Sequence, residues 1–323
     1  MIVGIILLAV CAVLLWRGRK VISMVWDNMT VKHVTLPEED SWQGGRTLKG
    51  IRYGEAESQW FDLYLPESTE PLPLMILLHG GGFVTNDARS RQAHFMYRYF
   101  RDHGFACASV NYRLAQEAPY PGAVDDVTQA ISYLAMHASE LGVDASRCAI
   151  WGESAGAYLA CRAAFSAQAI PIRVLLDFYG PSGLGDARGD FKEAGIPGWL
   201  VRVSSGWITR HTQGYPGCEA FWLRRRKGEW TEADTLETSL VRRIQASNAL
   251  QLSVWITHGE ADITVPAKQS IRMRDALVEA LGSENVHMDL RPHLPHAADA
   301  FYADEVLCRV EAFVRAHLWE TGE

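Results

Sequence analysis

The pentapeptide Gly152-Glu153-Ser154-Ala155-Gly156 constrains this chain more than any other stretch. A β-prone run, Cys148-Ala149-Ile150-Trp151, leads into it. A helix-prone run with small residues at Ala157, Ala160, Ala163 and Ala164 leads out. A strand that passes straight into a helix has to turn sharply. A Cβ at position 152 or 156 would strike the neighbouring strand or helix, so both positions call for glycine. Ser154 is left on the tip of a strained turn, its hydroxyl projecting above the sheet edge.

The rest of the chain alternates in a way that suits such a turn. Residues 59–65 alternate and read as an outer strand. Leu74 to Leu78 is a continuous apolar run, as expected of a strand buried on both faces. Further strands read over 105–112, 148–151, 172–179, 252–258 and 286–290, with helices over 90–103, 125–138, 266–281 and 298–317. Strands alternating with helices predict an α/β fold, a mostly parallel sheet flanked by helices on both faces. Asp27 to Ser58 reads as a polar lead-in with turns at Gly44-Gly45 and Gly54. Gly180 to Leu250 breaks the alternation and is too long for a plain loop. It carries Trp199, Trp207, Trp222 and Trp230, and reads as a helical cap insertion over 180–250. Most of those tryptophans would form its own core, with one or two lining an acyl pocket.

A net charge of −7 argues against a nucleic-acid partner, which needs a concentrated basic face. The one basic run, Arg224-Arg225-Arg226-Lys227, reads as a solvated helix end or loop, with contact to anionic lipid as the sharper alternative. Of six cysteines, Cys107 and Cys148 sit in apolar strand runs and Cys161 in the helix after Ser154. These are places for small buried hydrophobes rather than disulfides or zinc ligands.

Met1 to Trp16 is apolar throughout, and Arg17, Arg19 and Lys20 follow at once. A cleaved signal would carry its charge before the apolar run, and a lipoprotein signal would not have Val10 before Cys11. The segment 1–26 therefore reads as a membrane anchor or an interfacial helix, ahead of one catalytic domain over 27–323. The basic cluster places that domain on the cytoplasmic side and makes membrane lipid a partner.

A serine becomes a nucleophile only with a base in hydrogen-bond reach, an acid to orient that base, and donors for an oxyanion. In this type of fold the order is Ser, then Asp or Glu, then His. Asp262, just after the 252–258 strand, is the candidate acid, with Glu260 as the alternative. His296, on the loop after the 286–290 strand, is the candidate base, with His293 in reserve. His94, His103, His137 and His211 lie early in the chain or on helix faces and read as structural. His79-Gly80-Gly81-Gly82 follows the 74–78 strand. Gly81, Gly82 and Ala155 are the candidate oxyanion donors, and His79 is expected to brace the loop. No metal or organic cofactor is required.

These pieces resemble the α/β-hydrolases of the carboxylesterase kind, close to the hormone-sensitive-lipase-like group. The matching residues are His79-Gly80-Gly81-Gly82-Phe83, Gly152-Glu153-Ser154-Ala155-Gly156 and the Gly259–Pro266 segment. Asn111-Tyr112-Arg113-Leu114 with Glu117, Pro119, Pro121 and Asp125-Asp126 also match, as the group's structural signature. The likeness runs over residues 59–318 and implies an α/β-hydrolase fold. The tryptophan-rich insertion and the apolar N-terminal segment depart from it, so the group's substrate pocket does not transfer. The leading expectation is a hydrolase acting on a small-molecule carboxylic ester through an acyl-enzyme on Ser154. Alternatives on the same triad are an amidase or peptidase, arylformamidase-like or prolyl-peptidase-like, and a membrane-surface lipase. A non-catalytic binding module on this fold is disfavoured, because such modules often lack the serine or the histidine.

Overall fold

The computed structural model describes residues 42–166, 169–184, 217–226, 228–247 and 251–319, together with Asp190, Lys192, Thr212 and Gln213. The anchor expected over 1–26, Cys11, His211, and Trp199 and Trp207 of the insertion lie outside the described residues. Among the described residues no helix is long and apolar enough to cross a membrane.

Among the described residues eight strands form one sheet: β1 Gly45–Arg52, β2 Trp60–Pro66, β3 Leu72–Leu78, β4 Ala106–Val110, β5 Val143–Glu153, β6 Ile172–Phe178, β7 Ser253–Gly259 and β8 Val286–Arg291. Their spatial order is β1-β2-β4-β3-β5-β6-β7-β8. β2 runs antiparallel to both its neighbours, and every pairing from β4 to β8 is parallel. All loops leaving the C-terminal ends of β3 to β8 therefore gather along one edge of the sheet, where side chains distant in sequence can meet.

The period of two along β3 divides the core. Leu74, Ile76 and Leu78 enter one hydrophobic layer and Met75 and Leu77 the other. On the first face lie α2 Gly122–Met136, α4 Ala155–Ala164 and α8 Lys268–Leu281; on the second lie α1 Arg91–Asp102 and α9 Asp304–Leu318. The short helix α3 is Ala138–Leu141.

Two sequence expectations change. The lead-in contains a strand, β1, which pairs with β2 and carries mainly half-buried and exposed residues. Its weak apolar pattern hides it. With β1 outside it, β2 is not the outer strand: its five central residues are buried. There Asp62 is held by both Arg89 (2.6 and 2.8 Å) and the Gly50 N–H (2.7 Å).

Within 180–250 the described helices are α5 Cys218–Trp222, α6 Glu232–Thr238 and α7 Leu240–Gln245. The Thr231 hydroxyl and the Asp234 carboxylate close a reciprocal cap at the start of α6. Leu240 and Ile244 of α7 are buried in the same core as α4 and α8, so this end of the insertion belongs to the main helical layer. The basic run is partly tied down. Arg224 donates to the Ala115 carbonyl (2.5 Å) and Arg225 pairs with Asp234 (2.8 Å). Cys107, Cys148, Cys161 and Cys218 are buried free thiols, and burial pushes all four upward in pKa.

Asp177 of β6 is a buried carboxyl of a different kind. Its Oδ1 accepts the Gly180 N–H at 2.9 Å, and its Oδ2 has no partner. Burial lifts it from 3.8 to about 6, against the opposing pull of the Gly180 N–H and of His258. The folded-state value lies above the unfolded one. The stability linked to this proton is therefore complete below 3.8 and is lost as pH rises through about 6. Asp177→Asn is expected to match the parent near pH 4 and to exceed it by about 3 kcal/mol at pH 8, measured by denaturant unfolding.

Candidate active site

The turn between β5 and α4 has the geometry its glycines require. Ser154 sits at φ 50°, ψ −117°, a conformation an L-residue keeps only when its surroundings enforce it. A Cβ on Gly156 would lie 2.1 Å from the Leu78 carbonyl oxygen, and one on Gly152 would lie 2.2 Å from the Gly156 oxygen. The first residues of α4 thus rest on the end of β3, which brings Ser154 against the loop that follows it. Other non-glycine residues with positive φ collect along this edge: Phe83, Tyr179, His293 and Ala297.

His296 Nε2 lies 3.0 Å from Ser154 Oγ, and His296 Nδ1 lies 2.6 Å from Asp262 Oδ2. A carboxylate can only accept, so Nδ1–H donates to Asp262 and Nε2 is left to accept from the serine hydroxyl. The two loops are stitched together by the backbone. Glu260 N–H donates to the Arg291 carbonyl (2.9 Å), and Ala261 N–H to the Leu294 carbonyl (3.2 Å). The two reserve candidates stand apart from this relay, since the Glu260 and His293 side chains are exposed.

Asp262 is buried, and burial alone would raise its pKa. The His296 charge and the hydrogen bonds from His258 and His296 outweigh that and hold it well below the usual carboxylate range. The Thr264 and Val265 N–H groups add two donors on Oδ1, at 2.7 and 2.8 Å. Burial pulls His296 down, but Asp262 pulls harder, and the imidazole sits above 6.5. Its side chain is 15% exposed and Ser154 is half-buried, so the relay opens at these two residues while its acid is closed off.

Sequence reasoning missed His258. Its Nε2 donates to the Val265 carbonyl (2.9 Å) and reaches Asp262 Oδ2 (3.1 Å), while the Ser270 hydroxyl lies 2.6 Å from Nδ1. It therefore helps fix the same carboxylate oxygen that His296 uses. Its place as the penultimate residue of β7, four before Asp262, was the available signal.

The glycine loop is braced as expected. His79 is buried, with Nδ1 2.8 Å from the Gly80 carbonyl and its ring stacked on Tyr112 at 4.2 Å. Burial lowers it to about 4, so it is neutral near pH 7. The Tyr112 hydroxyl donates to the His79 carbonyl (2.7 Å), and Arg113 pairs with buried Asp126 (2.6 Å). The Asn111–Leu114 stretch thus ties the loop to α2. Gly80 N–H is already committed to Glu153 Oε1 (3.0 Å). Gly81 and Gly82 follow at φ 113° and 60°. Ala155, first residue of α4, has no helical carbonyl one turn earlier to receive its N–H. Phe83, next in the loop, stacks on Trp222 of α5 at 4.0 Å. Among the described residues no group of three or more His, Cys, Asp or Glu is placed to hold a metal ion.

A family model described as BD-FAE matches residues 61–194. That segment holds the glycine loop and Ser154 but stops before Asp262 and His296. The chain is 33% identical over 153 residues to "Lipase 2" of Moraxella sp. (strain TA144), covering 46% of this chain and 34% of that protein. It is 36% identical over 128 residues to "Esterase LipI" of Mycobacterium tuberculosis (strain ATCC 25618 / H37Rv), covering 38% of each. Each match thus spans less than two fifths of the relative's own length. Among solved structures, a truncated carbohydrate esterase from gut microbiota superposes with a TM-score of 0.70 at 20% identity, over 87% of this chain and 99% of that one. The fold is that of the α/β-hydrolases, and over the matched segment the chain is similar to esterases and lipases.

The packing at the elbow is testable. Gly156→Ala drives a methyl group into two backbone carbonyls, which cannot move aside as a side chain can. It is expected to cost about 3 kcal/mol or more in thermal or denaturant unfolding.

Proposed function

We propose that the chain is a serine hydrolase that cleaves carboxylic esters through an acyl-enzyme on Ser154. The observation that carries this reading is the unbroken relay from Ser154 Oγ through His296 to Asp262, at 3.0 and 2.6 Å. His296 takes the serine proton as Oγ attacks the ester carbonyl, and Asp262 stabilises the imidazolium. The tetrahedral oxyanion is held by the N–H groups of Gly81, Gly82 and Ala155. The tetrahedral intermediate collapses, and the C–O bond to the alcohol breaks as His296 returns the proton to the departing oxygen. Water, deprotonated by the same histidine, then hydrolyses the acyl-enzyme and restores Ser154. The names of the relatives, an esterase and a lipase, support ester chemistry over amide chemistry.

The insertion, through the α5 residue Trp222 stacked on Phe83, sets the acyl pocket beside the glycine loop. Residues 1–26 tether the hydrolase to a membrane, with the catalytic domain on the cytoplasmic side.

Ser154→Ala is expected to lower kcat/KM on p-nitrophenyl acetate and butyrate by about 10⁴-fold or more. Activity of the parent on matched amides at the level of the esters, or undiminished ester cleavage by the variant, contradicts the reading. The pH profile gives a second check. His296 acts as a base only when neutral, so kcat/KM rises with pH to a plateau, with an apparent pKa above 6.5. Asp262→Asn removes the charge that raises this pKa. It is expected to shift the acid limb to lower pH and to drop the plateau by about 10⁴-fold.

A further inference from the structure

Glu153, the residue before the nucleophile, has no part in the relay, yet it is 2% exposed and hydrogen-bonded on both carboxyl oxygens. Its Oε1 accepts the Gly80 N–H at 3.0 Å. Its Oε2 lies 2.5 Å from the Tyr179 hydroxyl and 2.8 Å from the Tyr302 hydroxyl. The two hydroxyls also touch each other. Three oxygens therefore make three mutual contacts.

A phenol brings one proton. Two tyrosines can serve two of the three contacts, and the third would set lone pair against lone pair in a buried site. The tyrosines cannot be the source of the imbalance. Burial pushes both phenols well above their ordinary range, so both keep their protons. The only remaining source of a third proton is the carboxyl group itself.

We propose that Glu153 is a neutral carboxylic acid. Its Oε2 proton completes a closed ring of three hydrogen bonds with Tyr179 and Tyr302, and its Oε1 carbonyl oxygen holds the glycine loop through Gly80. A neutral acid keeps Oε1 as an acceptor for Gly80 and gives Oε2 a proton to donate, which is the division of roles the contacts require. Burial drives the group the same way, raising its pKa against the opposing tyrosines, the Gly80 N–H and His296. Carboxyl groups kept neutral by their surroundings in this way do occur in active sites. Tyr179 is held in the ring with a positive φ of 45°, and its own ring lies 4.9 Å from that of His296.

The consequence for chemistry rests on the ester-hydrolase reading above. Asp262 and Glu153 both lie where a negative charge would raise His296. If Glu153 is neutral, Asp262 is the carboxylate that raises the histidine against its burial. Glu153 then acts as a positioning residue for the donors Gly81 and Gly82.

Infrared difference spectra between the parent and Glu153→Gln or Glu153→Ala, at neutral pH, test the proton directly. The parent is expected to show a protonated-carboxyl C=O stretch that both variants lack. A carboxylate band in its place overturns the proposal, and this readout stands whether or not the chain hydrolyses esters. Kinetics test the role. Gln keeps an acceptor at ε1 and a donor at ε2, so Glu153→Gln is expected to lower kcat about two- to fivefold, with the acid limb of kcat/KM unmoved. Glu153→Ala frees the glycine loop and is expected to lower kcat by about 30-fold or more with little change in KM. An acid limb shifted to lower pH in Glu153→Gln, or a loss as large as that of Glu153→Ala, shows an ionised Glu153 and overturns the proposal.

Discussion

The close approach of α4 to the end of β3 governs the rest of the site. With hydrogen at position 156, the first turn of the helix settles directly on the Leu78 and His79 carbonyls. Ser154 then faces the glycine loop, and Gly80 is pressed so near that a Cβ there would lie 3.2 Å from that of Ser154. The parallel sheet does the remaining assembly. β7 and β8 are parallel neighbours that end at the same edge, and two backbone hydrogen bonds align the Asp262 and His296 loops.

Three buried carboxyl groups share this edge and are handled in different ways. Asp262 is surrounded by donors: two backbone N–H groups, His296 and His258. It stays ionised, as a group that stabilises an imidazolium must. Asp177 has one donor for two oxygens, and burial prevails over it. Glu153 lies between these extremes, bonded on both oxygens but within a ring that is one proton short of complete unless the acid supplies it. Burial alone does not fix the charge of a carboxyl group; the count of available protons around it does.

Much of this was legible in the sequence because it depends on short-range rules. The buried strands β3 to β7 show as apolar runs bounded by turns, and the 74–78 run marked a strand buried on both faces. Ser154, Asp262 and His296 were readable from their order after strands, and the structure brings those three side chains together. What escaped notice depends on tertiary contacts. β1 has a half-exposed pattern and exists because it pairs with β2. His258 looks like an ordinary strand residue until Asp262 folds back beside it. Glu153 gives no sign of its surroundings, since Tyr179 and Tyr302 are 26 and 149 residues away. The closing helix read over 298–317 is in fact a short 3-10 turn at Asp299–Tyr302 followed by α9, and Tyr302 at the end of that turn reaches Glu153.

The central claim is that the strained serine and its histidine form one reactive unit. Treatment with a fluorophosphonate, followed by intact-mass measurement and peptide mapping, tests it most directly. The account predicts a single adduct on Ser154 of the folded chain, with labelling that slows sharply in His296→Ala. Absence of an adduct on Ser154, or labelling equally fast without the histidine, would contradict it.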